Sequence, residues 1–583
     1  MRLRIRLAFG TAALGCSTMA GAACHLTQYF ELPITMVGAR PLVNAKIDGR
    51  DARFILDSGA FFSTLSPATA QTFNLKLNDL PPGFYLRGIN GSASASLTTV
   101  KRFTVGGIDI PNVQFIVGGT DIGQVGLLGQ NLLGLFDAEY DLGHGVVRVL
   151  KPSGCKVEEL GYWPSEQPLT IIPIEERSAN QSHTIGTVTL NGVRLRALFD
   201  TGAPSSLLTM AAARRAGVTP TSPGVEASGP ATGLGTRTLR SWMGKFDRLQ
   251  IGGESIPHPQ IRFSEAQFSN ADMLIGADFF LTHHVYVANS ANKMLITYEG
   301  GPVFGIAPTG ARLANGERLD LTDRAAVPTD AEGFARRGAA LLSKQKVAEA
   351  LADFDKAVAL APTNAGFLRQ RATARMVNRQ PLLAAADLDK ALSLDPNDTE
   401  ARQMRAAMKL VGRDPQGAAE DLRALDRILP AAAGQRLQLA GMANAAEQPE
   451  LALTNYDAWL KTHSEDAARP SALNGRCWAL AQLNRSLDQA LSDCNAALKA
   501  RPNTAAYLDS RALVRLRQNN LPAALADYDA AIRLSPRNAW SLLMRGLVKR
   551  RMGDAAGGEA DRAAAMAITP AAAERAAKLG LVN

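Results

Sequence analysis

Two aspartates sit in the same local setting, 143 residues apart. One is Asp57 in Phe54-Ile55-Leu56-Asp57-Ser58-Gly59-Ala60; the other is Asp200 in Ala197-Leu198-Phe199-Asp200-Thr201-Gly202-Ala203. Each follows an apolar run and precedes a hydroxyl residue, a glycine and an alanine. Carboxyl groups brought close together are a residue type for general acid–base work, because neighbouring carboxyls titrate apart from one another. A single Asp-Thr-Gly carries little information, since aspartate and glycine are ordinary turn residues. The recurrence carries more, and its weight depends on whether matching elements surround both copies.

They do. Residues 43–60 and 186–203 each read as an alternating strand, an Asp48-Gly49 or Asn191-Gly192 turn, and a second strand that ends at the aspartate. Further on, Phe103-Thr104-Val105-Gly106-Gly107-Ile108-Asp109-Ile110-Pro111 matches Leu249-Gln250-Ile251-Gly252-Gly253-Glu254-Ser255-Ile256-Pro257, and Gly126-Leu127-Leu128-Gly129 matches Met273-Leu274-Ile275-Gly276. The aspartate precedes the Gly-Gly turn by 49 and 52 residues, and the last glycine by 72 and 76. Two β-rich domains of one fold are predicted, over 23–150 and 169–300, with a Gly- and Pro-containing linker at 151–168.

This constellation resembles the retropepsin-like and pepsin-like aspartic peptidases over about residues 35 to 300. The resemblance implies two all-β lobes that each supply one aspartate at an approximate two-fold axis, with Asp57 and Asp200 as the catalytic pair. They would share one proton across a water, the ionised member acting as general base and the protonated one as general acid, with neither metal nor cofactor. Ser58 and Thr201 would brace the loops, Gly59 and Gly202 would permit their tight path, and Gly129 and Gly276 would pack beneath them. Hairpin tips containing Gly88 and Gly91, and Gly233 and Gly235, are the flap candidates. The first copy departs from the second in its bulky Phe61-Phe62, where the second has Pro204-Ser205, and it lacks a counterpart of Asp278. The expected activity is aspartic-type endopeptidase, in a pseudo-dimer within one chain; the alternative is a non-catalytic peptide-binding scaffold on the same fold.

Behind a second linker at 301–330, alanine, leucine and arginine dominate with a 34-residue period. The anchors are Ala350, Phe354, Ala357, Pro362, then Ala384, Leu388, Ala391, Pro396, and again Ala524, Tyr528, Ala531, Pro536. This resembles the tetratricopeptide family over 331–572, with some seven helix pairs and a C-terminal capping helix at 573–583, an all-α solenoid that implies a protein partner. Cys477 and Cys494 would then fall on facing helices of one pair, and Cys24 and Cys155 remain to bridge the start of the mature chain to the exit of the first lobe.

The N-terminus, Met-Arg-Leu-Arg-Ile-Arg followed by Leu7 to Ala13 and Ala20-Gly21-Ala22, has the charge, apolar and small-residue order of a signal peptide over 1–22. Secretion, to a bacterial periplasm, is expected; the residues before Cys16 fit a lipoprotein box poorly. No later run is long enough to span a membrane. Of the net charge of +9, three arginines belong to that leader, residues 23–300 carry 22 basic and 23 acidic side chains, and +7 lies in 301–583. No nucleic-acid motif accompanies that surplus, so it reads as a solvated basic surface. The adjacent His283 and His284 have no partners at zinc spacing, and no dinucleotide, phosphate-loop or Gly-x-Ser-x-Gly motif is present.

Overall fold

The computed structural model describes residues 24–581 except 81–83, 85, 89–90, 120–125, 164–166, 178–182, 232–238, 269, 302, 305–311 and 314–327. The predicted signal peptide, the second flap pair Gly233 and Gly235, and most of the linker at 301–330 lie outside the described residues.

The first lobe is built on the hairpin of Arg40–Ile47 and Arg50–Leu56. Asp48 and Gly49 turn it with φ of 49° and 85°, the pair of positive values that lets a two-residue turn follow the twist of its strands. Around it, strands run in the order Arg40–Ile47, Arg50–Leu56, Gly126–Leu128, Thr64–Leu65, Ile108–Gly118 and Ala95–Val105, and the last pairs back onto the first. The sheet is therefore a closed barrel, filled by Phe54, Phe103 and Phe115 in mutual ring contact.

The second lobe repeats the plan. Ile185–Leu190 and Val193–Phe199 form its hairpin, turned by Asn191 and Gly192 at φ of 49° and 81°. In both lobes the strand ending at the aspartate runs parallel to the strand before the last glycine: Phe54 to Leu56 lie opposite Gly126 to Leu128, and Ala197 to Phe199 opposite Met273 to Ile275.

A six-stranded sheet fastens the lobes. Strands His25–Val37, Val146–Ser153 and Asp137–Asp141 from the first lobe meet His283–Ala288, Lys293–Tyr298 and Thr170–Pro173 from the second, and Glu139 lies opposite Tyr286 at the seam. Cys24 is disulfide-bonded to Cys155 beside this sheet.

From Ala331 to Ile568 fourteen helices stack as seven antiparallel pairs, and Ala571–Lys578 makes a fifteenth helix, so the chain is a β-barrel region followed by a tetratricopeptide-like solenoid. The anchor alanines Ala350, Ala384, Ala418, Ala452, Ala490 and Ala524 are fully buried where paired helices touch. A second periodic element was not read from the sequence: Arg337–Asp353, Arg371–Asp387, Arg405–Asp421, Arg511–Asp527 and Arg545–Asp561 are ion pairs at a constant separation of 16, each aspartate buried and each arginine on the preceding helix. Arg476–Asp493 keeps the bond at 17, and the fourth pair uses Arg436 with Asn455. Every helix pair thus carries a charge-assisted bond from its first to its second helix. Cys477 and Cys494 are bridged within the fifth pair.

The solenoid is not tethered loosely. Ala339, Ala340, Leu341 and Phe354 of its first pair share the hydrophobic core of the lobes. Glu400 pairs with Arg53, and Glu465 accepts from the main-chain N–H and hydroxyl of Ser94 at 3.2 and 2.5 Å. Among the described residues no helix is long and apolar enough to cross a membrane.

Candidate active site

Each aspartate is positioned by the strand pairing beneath it. The Asp57 N–H donates to the Leu128 carbonyl at 2.9 Å, and the Asp200 N–H to the Ile275 carbonyl at 2.8 Å. The chain then turns tightly, and Oδ1 of each aspartate accepts from the N–H of its own loop glycine, Gly59 and Gly202, at 2.9 Å. Ala203 N–H adds a third contact to Asp200 at 3.2 Å. These bonds aim both carboxyls across the lobe boundary. A Cβ at Gly59 would lie 2.2 Å from the Asp200 carboxyl carbon, and one at Gly202 2.3 Å from that of Asp57. Each glycine is thus required by the opposite lobe's aspartate: any side chain there would fill the space the carboxyl occupies.

Ser58 and Thr201 lock the two loops. Thr201 Oγ1 accepts from Ser58 N–H at 3.0 Å and donates to the Leu56 carbonyl at 2.8 Å. Ser58 Oγ accepts from Thr201 N–H at 2.9 Å and donates to the Phe199 carbonyl at 2.9 Å. All four bonds cross between lobes, and both residues are buried. A cross-lobe brace of this kind exists only because both lobes belong to one assembly, here one chain.

The electrostatics follow from burial. Desolvation, then the charge of Asp200 and the hydrogen bond between the two carboxyls, push Asp57 well above the ordinary carboxylate range. Burial also raises Asp200, against the bonds it receives from Asp57, Gly202 and Ala203. Two carboxyls this close, both raised by burial, form the arrangement in which one proton can be shared.

Beneath the loops the lobes are again matched. Ser63 Oγ accepts from Gly129 N–H at 3.0 Å, as Ser206 Oγ does from Gly276 N–H at 2.9 Å. Asp278 holds Ser206 through its N–H and hydroxyl, and Asn131 holds Ser63 in the same way, at 2.7 and 2.8 Å through Oδ1. The sequence reading that the first lobe lacks a counterpart of Asp278 is therefore corrected. Asn131 fills that place, because what the position needs is an acceptor oxygen and an amide supplies one as well as a carboxylate does. A Cβ at Gly129 or Gly276 would come within 2.7 Å of Phe62 or Ser205 main chain, which is why both are glycine.

Several neighbours of the pair were not foreseen. His183 lies close to Asp200 and hydrogen-bonds the main chain of Gly59; burial lowers its pKa against the opposing pull of Asp200 and of that bond. Arg177 donates to Gln130 at 2.8 Å, and Gln130 in turn to the Ser58 carbonyl at 2.7 Å, a support the second lobe does not share because Ala277 stands where Gln130 does. Both histidine and arginine come from the second lobe, between the strands Thr170–Pro173 and Ile185–Leu190, where no repeat or motif marks them. Phe61, Phe62 and Phe84 stand in ring contact along the first lobe's side, with Phe61 also against His183, whereas Pro204 and Ser205 on the other side are exposed. Gly88 and Gly91 face each other across the short hairpin Leu86–Gly88 and Gly91–Ala93.

The two histidines are buried, with partners that sequence spacing could not show. His284 bonds Glu139 at 2.7 Å and Glu299 at 3.0 Å, which lift its pKa to about 9 against its burial. Asp141, His284 and Glu299 bring their donor atoms within 4.8 Å of one another, the one grouping among the described residues able to hold a cation. It lies in the inter-lobe sheet, where His284 is already doubly hydrogen-bonded.

Comparison with known proteins matches residues 43–134 to the gag-polyprotein aspartyl protease family and residues 186–279 to a second aspartyl protease family. The chain carries two tandem aspartyl protease domains. No curated protein matches it. Among solved structures, YrrB, a tetratricopeptide protein with an unusual peptide-binding site, is 22% identical over 32% of this chain and 95% of its own, with a TM-score of 0.28. A tetratricopeptide repeat protein from Parabacteroides merdae is 16% identical over 43% and 98%, with a TM-score of 0.34. PilW, a type IV pilus biogenesis factor, is 18% identical over 35% and 92%, at 0.30.

Proposed function

We propose that the two tandem domains form one aspartic endopeptidase in which Asp57 and Asp200 activate a water between them. The observation that carries this reading is the facing pair of carboxyls, each seated against the opposite lobe's loop glycine and held by the Ser58–Thr201 brace. In the working state the pair holds one proton. The ionised carboxylate takes a proton from water as it attacks the scissile carbonyl, and the protonated carboxyl donates to the developing oxyanion; as the C–N bond then breaks, the first carboxyl gives its new proton to the leaving amine and a diol hydroxyl returns one to the second, which restores the singly protonated pair. Burial and the fixed loop N–H groups supply a preorganised environment with little to rearrange during the reaction.

The hairpin at Gly88 and Gly91 stands as one flap over an extended peptide, and the aromatic side of the cleft favours a large apolar side chain there. The solenoid recruits the substrate or a partner. The two disulfides suit secretion into an oxidising compartment such as a periplasm. The test is cleavage of a denatured-protein peptide mixture at acidic to neutral pH with a statine inhibitor or a chelator added. Blockage by the statine and indifference to the chelator are expected; the reverse pattern overturns the mechanism.

A further inference from the structure

The terminal helix Ala571–Lys578 does not simply extend the stack of repeats. It folds back across the first helices of the last pairs. The Arg575 guanidinium lies over the rings of Trp478, in the fifth pair, and Trp540, in the seventh, 5.0 and 5.5 Å from their centroids. The Leu579 carbonyl accepts from Arg517 of the sixth pair at 2.7 Å. Lys578 Nζ sits 2.6 Å from Glu447, at the turn of the fourth pair. Ala572, Ala576 and Leu581 are buried in the cluster that holds Cys477, Leu513 and Met544. A helix of eight residues thus touches four successive repeats, as a bound peptide would, where stacking on the end of the solenoid alone would give contacts with the seventh pair.

The seat is aromatic and includes the carboxyls of Glu447 and Asp509. Trp478 and Trp540 meet edge to face at 5.6 Å and flank the guanidinium. Glu447 attracts it, and Asp509, which accepts from Ser541 Oγ at 2.6 Å and whose pKa burial raises to about 7, adds to the attraction where it is ionised. The occupant does not satisfy the seat fully, since the buried Trp540 Nε1 and Arg575 Nε lack hydrogen-bond partners.

We propose that this seat is a docking site for a cationic helix of another protein, and that the segment 571–581 occupies it in cis. The occupant defines the partner's chemistry: an arginine to lie between the two indoles, a lysine three residues later for Glu447, and leucines beyond it, as in Arg575, Lys578, Leu579 and Leu581. The inference rests on the reading that the solenoid recruits a partner, and it is independent of peptidase activity. A tethered helix competes at the high effective concentration a short connection provides, so a partner binds when it outmatches the segment or when the segment is released.

The test uses a fluorescent peptide of sequence 571–581 and the full chain. The variant Arg575→Ala/Lys578→Ala, which weakens the cis helix, binds the peptide at least about 10-fold more tightly than the wild type does. Adding Trp540→Ala to that variant removes the gain, and a peptide with alanine at its arginine binds neither protein. A second variant ending at Pro570 guards against incomplete release and binds as the first does, its circular dichroism reporting an intact solenoid. Equal, weak binding to the wild type and to both folded variants overturns the proposal. So does binding that ignores Trp540. Peptide binding by a protein without peptidase activity leaves the seat standing and sinks only the catalytic reading.

Discussion

The main-chain N–H of Ser58 donates to the hydroxyl of Thr201, and the main-chain N–H of Thr201 donates to the hydroxyl of Ser58, at 3.0 and 2.9 Å. Each hydroxyl then donates to a carbonyl of the other lobe, so neither can be removed without leaving a buried N–H and a buried carbonyl of the opposite lobe unpaired. Thr201→Ala is expected to destabilise the two-lobe unit by about 1–3 kcal/mol, and Thr201→Ser by much less, because the serine keeps both bonds. Ser58→Ala combined with Thr201→Ala falls short of the sum of the two, since the two pairs of bonds hold the same two loops together and losing either pair already loosens them. Denaturant unfolding of the four proteins measures this; strict additivity contradicts a shared brace.

The raised pKa values of the pair set a pH dependence for activity and another for stability, and both decline as pH rises. Activity needs one proton on the pair, so kcat/KM falls when the second proton leaves, and the upward shift of Asp57 moves that loss toward higher pH than ordinary carboxylates allow. For stability, folded values above the unfolded ones mean that the pair's contribution is fully present below the unfolded range and is lost as pH rises through the folded values. Asp57→Asn is therefore inactive yet more heat-resistant than the wild type at pH 8, with the difference vanishing near pH 3. A variant less stable than the wild type at pH 8 contradicts the assignment of a buried, proton-sharing pair.

Asn131 and Asp278 do the same work, and burial holds Asp278 above the ordinary carboxylate range. The aspartate costs stability as pH rises past its unfolded value, and an amide does not. Asp278→Asn is expected to raise the thermal midpoint at pH 8 and leave it unchanged near pH 3, with activity retained. A loss of midpoint at pH 8 shows that the carboxylate makes a contribution the first lobe lacks.

The Cys477–Cys494 bridge spans 17 residues within one helix pair. The chain-entropy estimate assigns a loop of this size about 3 kcal/mol. Cys477→Ala/Cys494→Ala lowers the calorimetric transition of the solenoid and leaves that of the two β-lobes in place. A solenoid transition that does not move shows that the bridge is dispensable.

Two β-rich lobes of one fold were legible because each repeats the same turn, strand and glycine order, whereas the facing of Asp57 and Asp200 and the Ser58–Thr201 brace were expected only from the resemblance to aspartic peptidases. The seven helix pairs were legible because small residues recur every 34 positions. The Arg–Asp ion pairs share that period, but arginine and aspartate are so common on exposed helix faces that their recurrence does not announce burial. His183 and Arg177 left no trace, being single residues of the second lobe between Thr170–Pro173 and Ile185–Leu190 that meet the aspartates only in the folded chain. The fold-back of the last helix was equally hidden: a capping helix and an inserted one have the same alanine-rich composition, and only Arg575 against Trp478 and Trp540 separates them.

The central claim is that one chain hydrolyses peptide bonds with Asp57 and Asp200 together. The most direct measurement is mass-spectrometric mapping of new termini produced from a denatured protein mixture by the wild type, by Asp57→Asn, by Asp200→Asn and by the two variants mixed. The account predicts new termini with the wild type alone, and none with either variant or their mixture, because each active pair must lie within a single chain. Full cleavage by either single variant contradicts the paired carboxylates, and recovery on mixing contradicts the single-chain site.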